Sequence, residues 1–164
     1  MILLPEVEEF FSGVRGRECW SIIGGAGTGS VIDLEFGEKV KCKRPLRNPK
    51  LSLEERLFQG ERALIIYCDW RIEGAGGILC TSQSTNESGS LYFDVLLDLK
   101  DSTVANIGFT SQLHDLRVEF DNGIALSVFC DLPVVDDEDS NYVMFNPTTT
   151  IAATARGSLT VENR

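Results

Sequence analysis

The sequence is short of the residues from which proteins build metal sites and disulfide frameworks. It contains a single histidine, His114, and its five cysteines include no C-x-x-C pair. A zinc site needs clustered cysteine and histidine ligands at short spacing, so we predict no metal and no other cofactor. Cys68 and Cys130 lie inside apolar strand patterns, which favours reduced, mostly buried packing cysteines in a cytoplasmic protein.

Long apolar runs are also missing. No stretch reaches the ~18–20 apolar residues that a membrane-spanning helix needs. Residues 1–6 lack a basic segment and turn acidic at once, which argues against a secretory signal. We therefore expect a soluble, cytoplasmic chain with a single domain over residues 1–164, because this length suits one compact core.

Basic side chains are scarce in the second half of the chain. Residues 83–164 contain 13 acidic and 4 basic side chains (−9), and residues 1–82 contain 12 and 11 (−1), which together give the net charge of −10. Such a field repels nucleic acids and membrane surfaces and attracts basic proteins. The basic zone at residues 39–62 lacks the interleaved aromatic residues typical of nucleic-acid binding. We predict a basic protein partner, and no binding to nucleic acid or membranes.

A glycine loop at residues 24–29 separates two runs of alternating apolar residues that predict β-strands. A phosphate-binding loop needs a helix directly after it, because the N–H groups and the dipole of that helix face the anion. Here a second strand pattern begins at Ser30, and no lysine follows Gly29 as the Walker pattern requires. We predict that the loop links two antiparallel strands and binds no nucleotide. A small-ligand-binding β-domain that uses residues 24–29 is the alternative.

Alternating apolar patterns recur along the rest of the chain. The strongest occupies residues 63–72 and is at least partly apolar on both faces, which suits a central strand. Residues 121–123, Asp-Asn-Gly, are typical of a hairpin turn between two strands. We predict an α+β fold: a mainly antiparallel, curled β-sheet or half-barrel of about seven to eight strands, with one or two short helices.

Helix signals are fewer. An apolar stripe predicts a helix over residues 5–14, and residues 52–55 fit a capping box for a second helix of at most two turns. Residues 91–100 fit both a helical stripe and the alternation of a strand. We choose the helix for this segment, with Ser88 or Asn86 near its N-terminal cap.

The densest charge in the chain is the acidic run at residues 136–139, which lies in a predicted loop. It lacks the spacing and the central glycine of an EF-hand calcium loop. A solvated connection is the simple interpretation, and a recognition patch for a basic partner is the functional one. The predicted partner-binding residues are Asp121, Asp131, Asp136, Asp137, Glu138 and Asp139.

Residue types that could form a catalytic triad do not cluster in the sequence. His114 and Asp115 are neighbours, but consecutive residues of a strand point to opposite faces. We interpret His114 as a loop or edge residue and predict that the protein is not an enzyme. An uncharacterised enzyme is kept as an alternative hypothesis.

Several short motifs together resemble those of a known group of proteins. They are Trp20, Gly-Ala-Gly-Thr-Gly-Ser at 25–30, Leu34-x-Phe36-Gly37, Tyr-Cys-Asp-Trp-Arg at 67–71, Leu116-x-Val-x-Phe120 with Asp-Asn-Gly at 121–123, and an acidic loop before Tyr142. The set resembles small bacterial β-rich proteins, some of which are similar to immunity proteins of contact-dependent toxin–immunity systems, and it covers about residues 18–146. The resemblance implies an acidic immunity or inhibitor protein that occludes a basic bacterial toxin, with a nuclease as one expected partner. It implies no catalytic residues.

Overall fold

The computed structural model describes residues 2–25, 28–87, 89–136 and 139–164, and this part of the chain forms eleven strands and three helices. The helices are α1 (Pro5–Val14), α2 (Leu53–Leu57) and α3 (Leu91–Leu99). The strands are β1 (Glu18–Ile23), β2 (Ile32–Lys41), β3 (Phe58–Ile66), β4 (Asp69–Gly74), β5 (Gly77–Thr81), β6 (Ser102–Phe109), β7 (Leu116–Phe120), β8 (Ala125–Phe129), β9 (Ser140–Phe145), β10 (Thr149–Thr154) and β11 (Leu159–Asn163).

The strands of the described residues join one open sheet in the order β11-β10-β9-β3-β2-β1-β6-β7-β8-β4-β5. Every pairing along this order is antiparallel. The α+β, mainly antiparallel prediction is therefore confirmed. The predicted count of seven to eight strands is wrong, because eleven strands form in the described part of the chain, and so is the count of one or two helices, because three form there. One reason is that residues 63–72, predicted as one strand, belong to two strands, β3 and β4.

The link between β3 and β4 requires the sheet to curl. Residues 67 and 68 join the two strands, so the Cα atoms of Ile66 and Asp69 lie at most about 11 Å apart. Five strands separate β3 from β4 in the sheet order, which would place them about 29 Å apart in a flat sheet. The sheet therefore bends back on itself, in agreement with the predicted curled form.

The corner at residues 67 and 68 is held by one carbonyl group. The backbone N–H groups of Tyr67 and Cys68 both donate to the carbonyl of Asn141, at 2.9 and 3.1 Å. Cys68 and Trp70 are both buried, so the inward-facing alternation continues from β3 into β4 without a break. The sequence pattern therefore predicts the buried face correctly but contains no sign of the bend.

The helices α1 and α3 contribute apolar faces to the same core as the sheet, whereas α2 has no buried residue. Val7, Phe10, Phe11 and Val14 of α1 are buried, as its apolar stripe predicts. The predicted capping box of α2 is present, with reciprocal hydrogen bonds between Ser52 and Glu55. Within the described residues, no helix has the length and apolar character needed to cross a membrane.

Residues 91–99 form a helix, which confirms the choice made between the two patterns. Its buried face consists of Tyr92, Val95, Leu96 and Leu99. Ser90 occupies the N-cap position, where we predicted a nearby cap from Ser88 or Asn86. Ser88 lies outside the described residues, and the Asn86 side chain donates instead to the carbonyls of residues 25 and 29, at 3.1 and 2.8 Å.

The cysteines, all of which lie in described residues, are free thiols. Cys19, Cys68 and Cys80 are buried, and Cys42 and Cys130 are partly buried. Burial raises the pKa of the Cys80 thiol to about 11, and burial followed by the nearby Asp115 charge raises that of Cys130 to about 12. These thiols stay protonated near neutral pH, as expected of packing residues.

The side chain of Asn141 is predicted to hold in place the backbone carbonyl that supports the corner. It is buried, accepts from the N–H of Leu132 at 3.0 Å and donates to the carbonyl of Thr154 at 3.1 Å. Asn141→Ala leaves the N–H of Leu132 without its acceptor and removes one of the two donors to the Thr154 carbonyl, which still accepts from Gly157. The free energy of unfolding in urea should therefore fall by roughly 1–3 kcal/mol. Asn163→Ala, at an exposed position of β11, should change it by less than about 0.5 kcal/mol. Equal losses in the two variants would contradict this account of the corner.

Candidate functional site

A pocket of about 240 Å³ opens on the face of β1, β2 and β3 that is turned away from the core. The end of β9, the helix α2 and the segment after β2 complete its walls. We call it the carboxylate pocket. The lining residues on which its chemistry depends are Ser21, Asp33, Glu35, Glu55, Gly60, Phe145 and Arg164.

The alternation of β2 creates the floor of the pocket. Ile32, Leu34 and Phe36 are buried in the core, so Asp33 and Glu35 project from the opposite face. The antiparallel register sets Asp33 opposite Ile65 of β3, and Glu35 opposite Ala63. Two carboxyl groups of one strand therefore lie in adjacent cross-strand rows of the same concave surface.

Asp33 is partly buried, and neither a hydrogen bond nor an opposite charge offsets the effect of burial on its pKa. Its Oδ1 atom is buried and has no hydrogen-bond partner among the described residues. Burial disfavours the charged form of the carboxyl group and raises the pKa of Asp33 to about 6. An enclosed acceptor without a donor is unfavourable for folding, so this atom is available to a group supplied from outside.

Glu35 is perturbed more strongly than Asp33. Burial first, and then the neighbouring Asp33 charge, raise the pKa of Glu35 to about 8. Its Oε2 atom accepts from the N–H of Gly60 at 2.6 Å, and this hydrogen bond acts in the opposite direction. A Cβ atom at Gly60 would lie 2.8 Å from that oxygen and 2.6 Å from the carbonyl of Arg62, so the close approach requires glycine.

Glu55 differs from the two acids of β2. Burial by itself would raise the pKa of Glu55, but hydrogen bonds from Ser52 and the Lys100 charge outweigh it and hold that pKa below its usual value. The backbone N–H of Ser52 donates to its Oε2 at 2.9 Å, and the buried Ser21 hydroxyl donates to its Oε1 at 3.3 Å. The Nζ atom of Lys100 lies 3.9 Å from Oε1. Glu55 therefore contributes a stable negative charge.

Arg164 supplies a positive charge at the same pocket. Its Nη1 atom donates to the carbonyl of Asn146 at 3.1 Å, and its guanidinium carbon lies 5.2 Å from the centre of the Phe145 ring. Its charge also acts to lower the pKa of Glu35, although less than burial raises it. The pocket thus combines carboxylates with an aromatic ring, Phe145, on which the guanidinium of Arg164 already packs.

The arrangement favours a cationic group of side-chain size. Near neutral pH Glu35 is mainly protonated, whereas Asp33 and Glu55 are mainly ionised. The volume lies below the ~300–1,000 Å³ typical of sites for small-molecule ligands and cofactors. Within the described residues, no group of three or more histidine, cysteine, aspartate or glutamate side chains is placed to hold a metal ion.

Among the predicted partner-binding residues that the structure describes, Asp121 and Asp131 lie at opposite ends of β8. Asp121 lies in the turn before β8, where its Oδ1 accepts from the N–H of Thr103 at 3.1 Å. Asp131 follows the opposite end of β8 and accepts from the N–H of Asp69 at 3.2 Å. The five residues of β8 separate these two carboxylates by about 17 Å or more.

The acidic run at 136–139 is described at its two ends. The N–H of Asp136 donates to Oδ2 of Asp139 at 3.1 Å, and the carbonyl of Asp139 accepts from the N–H of Ala155 at 3.0 Å. This second bond ties the run to the turn between β10 and β11. Asp137 and Glu138 lie outside the described residues.

Asp131 lies near the C-terminal end of β3, and the carboxylate pocket, which runs along that strand, reaches the same end at Ile65. Tyr67 follows β3 and is 42% exposed. Burial, and then the Asp33 charge, raise the pKa of its phenol, so Tyr67 lies within electrostatic reach of the pocket. Two residues further along, the N–H of Asp69 bonds Asp131. An exposed aromatic side chain therefore lies between the pocket and part of the predicted acidic surface.

The glycine loop links antiparallel β1 and β2, as predicted. A Cβ atom at Gly24 would lie 2.8 Å from the Tyr92 hydroxyl oxygen, and one at Gly25 would lie 2.5 Å from the Phe93 ring. Both aromatic residues belong to α3, so these glycines allow the loop to pack closely against that helix. Ala26 and Gly27 lie outside the described residues.

His114 lies in the connection between β6 and β7, consistent with its interpretation as a loop residue. Its Nδ1 atom is 3.1 Å from the carbonyl oxygen of Gly157, and its ring packs edge-to-face against Phe109 at 5.0 Å. Its backbone carbonyl accepts from the buried Tyr142 hydroxyl at 2.7 Å. These contacts give His114 a structural role away from the carboxylate pocket.

The residues predicted from the sequence do not include Asp33, Glu35 or Glu55. The first two occupy the polar positions of an alternating strand, where a solvent-facing side chain is the ordinary interpretation. One signal was available: two acids at i and i+2 of a strand must share one face, where they repel each other. The cover that buries them comes from α2 and from the segment after β2, which the strand pattern does not reveal.

The raised pKa values predict how stability depends on pH. Both acids bind protons more tightly in the folded than in the unfolded state. The stability that Glu35 contributes is therefore fully present below its unfolded pKa, near 4.5, and is lost as pH rises towards its folded pKa, about 8. Glu35→Gln removes the larger effect and keeps an acceptor for Gly60. It should unfold in urea with a free energy about 1–3 kcal/mol above wild type near pH 8.5, and close to wild type near pH 5. Glu8→Gln, at an exposed position of α1, is the control and should show no such pH-dependent gain. The same difference from wild type at both pH values would contradict the burial of Glu35.

Comparisons of this protein with protein-family models, with curated proteins and with solved structures found no match. The resemblance to immunity proteins therefore stays a prediction from the sequence motifs. The function has to be argued from the geometry and charge of the carboxylate pocket and its surroundings.

Proposed function

We propose that this protein is an acidic binding module whose carboxylate pocket receives one cationic side chain of a basic partner protein. The observation that carries the proposal is the enclosed Oδ1 atom of Asp33, which lacks a donor among the described residues inside a pocket of about 240 Å³. Following the motif resemblance, we propose that the module is an immunity or inhibitor protein. Its partner would be a basic bacterial toxin whose substrate cleft it occludes.

Electrostatics explains why a cation suits this pocket. Asp33 and Glu35 oppose each other's ionisation, and burial weakens the hydration of both. A bound ammonium or guanidinium group would restore a favourable charged state and donate hydrogen bonds to the carboxylate oxygens. Binding should therefore release a proton from Glu35 and become stronger as pH rises towards 8.

The surroundings of the pocket suit a protein partner better than a free small molecule. Tyr67 is exposed beside the pocket, and aromatic side chains of this kind commonly contribute a large share of interface energy. Asp131 lies near the end of β3 that Tyr67 follows, and the chain carries a net charge of −10. Such a field raises the rate at which a basic protein associates, while the pocket supplies a specific anchor.

A second candidate function, general acid–base catalysis on a small ligand, is favoured by one observation. Asp33 and Glu35 share one face of β2, and the pKa of Glu35 is raised to about 8 but that of Asp33 only to about 6, so the two carboxyl groups suit opposite roles in proton transfer. We rank it second because the pocket is smaller than typical small-molecule sites, and because Arg164 already packs on the Phe145 ring that forms one of its walls.

The proposal is tested by an NMR titration with the peptide acetyl-Gly-Arg-Gly-amide. The peptide should shift the amide signals of Ser21, Gly60 and Ala63, because these residues line the pocket. The same peptide with citrulline in place of arginine, which has nearly the same shape but no charge, should leave them unchanged. The double variant Asp33→Asn/Glu35→Gln should bind the arginine peptide at least about 10-fold more weakly near pH 8.

A matched variant separates the pocket from general charge effects. Glu8→Gln/Asp94→Asn removes two negative charges from exposed positions of α1 and α3, and it should bind the arginine peptide as wild type does. Equal binding of the arginine and citrulline peptides, or equal weakening in the two double variants, would overturn the proposal.

A further inference from the structure

We propose that the carboxylate pocket selects a guanidinium over an ammonium group, and that Arg164 of the same chain competes with the partner for this position. This inference rests on the proposed function, since it names the chemical group that the pocket recognises. It also assigns to Arg164, which was not among the predicted site residues, a role in regulating access to the pocket.

The position of Arg164 shows how a guanidinium fits this surface. Its guanidinium carbon lies 5.2 Å from the Phe145 ring centre, a distance at which a cation is attracted by the aromatic face. Phe145 lies opposite Ala63 in the β3–β9 pairing, and Ala63 lies opposite Glu35 in the β2–β3 pairing. The aromatic ring and the Glu35 carboxyl group therefore belong to the same cross-strand row of the sheet.

This row favours a planar cation. A guanidinium can stack on an aromatic ring and present two parallel N–H groups to a carboxylate, whereas an ammonium group is a compact, strongly hydrated point charge. Asp33 lies in the adjacent row, so its enclosed oxygen is within the same concave surface. A partner's arginine that entered along Phe145 would reach Glu35 first and Asp33 next.

Arg164 is placed to oppose that entry. It lines the pocket, and its charge is felt at Glu35, so a second cation would meet repulsion there. Its side chain is exposed, and the hydrogen bond it donates goes to the backbone carbonyl of Asn146. It can therefore leave the Phe145 ring without uncovering the hydrophobic core.

The experiment compares acetyl-Gly-Arg-Gly-amide with acetyl-Gly-Lys-Gly-amide by NMR titration of the full chain. Arg164→Gln should bind the arginine peptide about 3-fold or more tightly than wild type, because the competing charge is gone from the aromatic wall. Arg164→Lys keeps the charge and should stay closer to wild type than Arg164→Gln does. Arg156→Gln is the matched control: it removes one positive charge from the turn at the opposite end of the β10–β11 hairpin and should leave the affinity unchanged.

The outcomes separate this inference from the proposed function. If the arginine peptide binds wild type and Arg164→Gln equally well, or Arg164→Gln more weakly, the competition is disproved while the cation pocket stands. If the lysine peptide binds as tightly as the arginine peptide, the selection of a guanidinium is disproved. If neither peptide shifts the pocket signals in any variant, the proposed function fails, and this inference fails with it.

Discussion

The register between β2 and β3 determines both the core and the carboxylate pocket. It pairs Leu34 with Leu64 on the inner face and Glu35 with Ala63 on the outer face. A slip of one residue would bring the acids of β2 into the core and expose its apolar residues, so the core enforces the position of the acids. The neighbouring pairings of β1 and β9 then extend the outer rows to Ser21 and Phe145. The same hydrogen-bonded ladder thus fixes the packing and the chemistry.

The carboxylate pocket opposes the stability of the fold that forms it. Asp33 and Glu35 lose hydration and repel each other, and a pair of smaller, neutral side chains would avoid both penalties. The helix that covers them is held by specific hydrogen bonds: Glu55 completes the capping box of α2 and accepts from the buried Ser21 hydroxyl. Side chains that destabilise the fold, but are surrounded by ordered hydrogen bonds, are typical of binding and catalytic sites. This combination is the physical reason for regarding the pocket, and not the glycine loop, as the functional centre.

Much of the fold could be predicted from the sequence, because periodicity reports which side chains face the core. The stripe of α1 and the alternation of residues 63–72 describe buried faces correctly, and the capping box of α2 marks where that helix begins. The strand count could not be predicted, since the bend at residues 67 and 68 keeps the inward alternation and depends on a carbonyl of the distant Asn141. The pocket was missed for a similar reason. The acids at 33 and 35 are ordinary polar positions until α2 and the segment after β2 cover them, whereas the run at 136–139 draws attention by charge density alone.

In this account two neighbouring, partly buried acids lie in one open pocket, and the partner that we propose for them is a cation. A carbon-13 NMR titration of the carboxyl groups of Asp33 and Glu35, recorded with and without a saturating concentration of acetyl-Gly-Arg-Gly-amide, tests it most directly. In the free protein the account predicts a pKa of about 8 for Glu35 and about 6 for Asp33. With the peptide bound, both pKa values should fall towards their ordinary range, because a cation stabilises the ionised forms. Ordinary pKa values in the free protein, or raised values that the peptide leaves unchanged, would contradict the account.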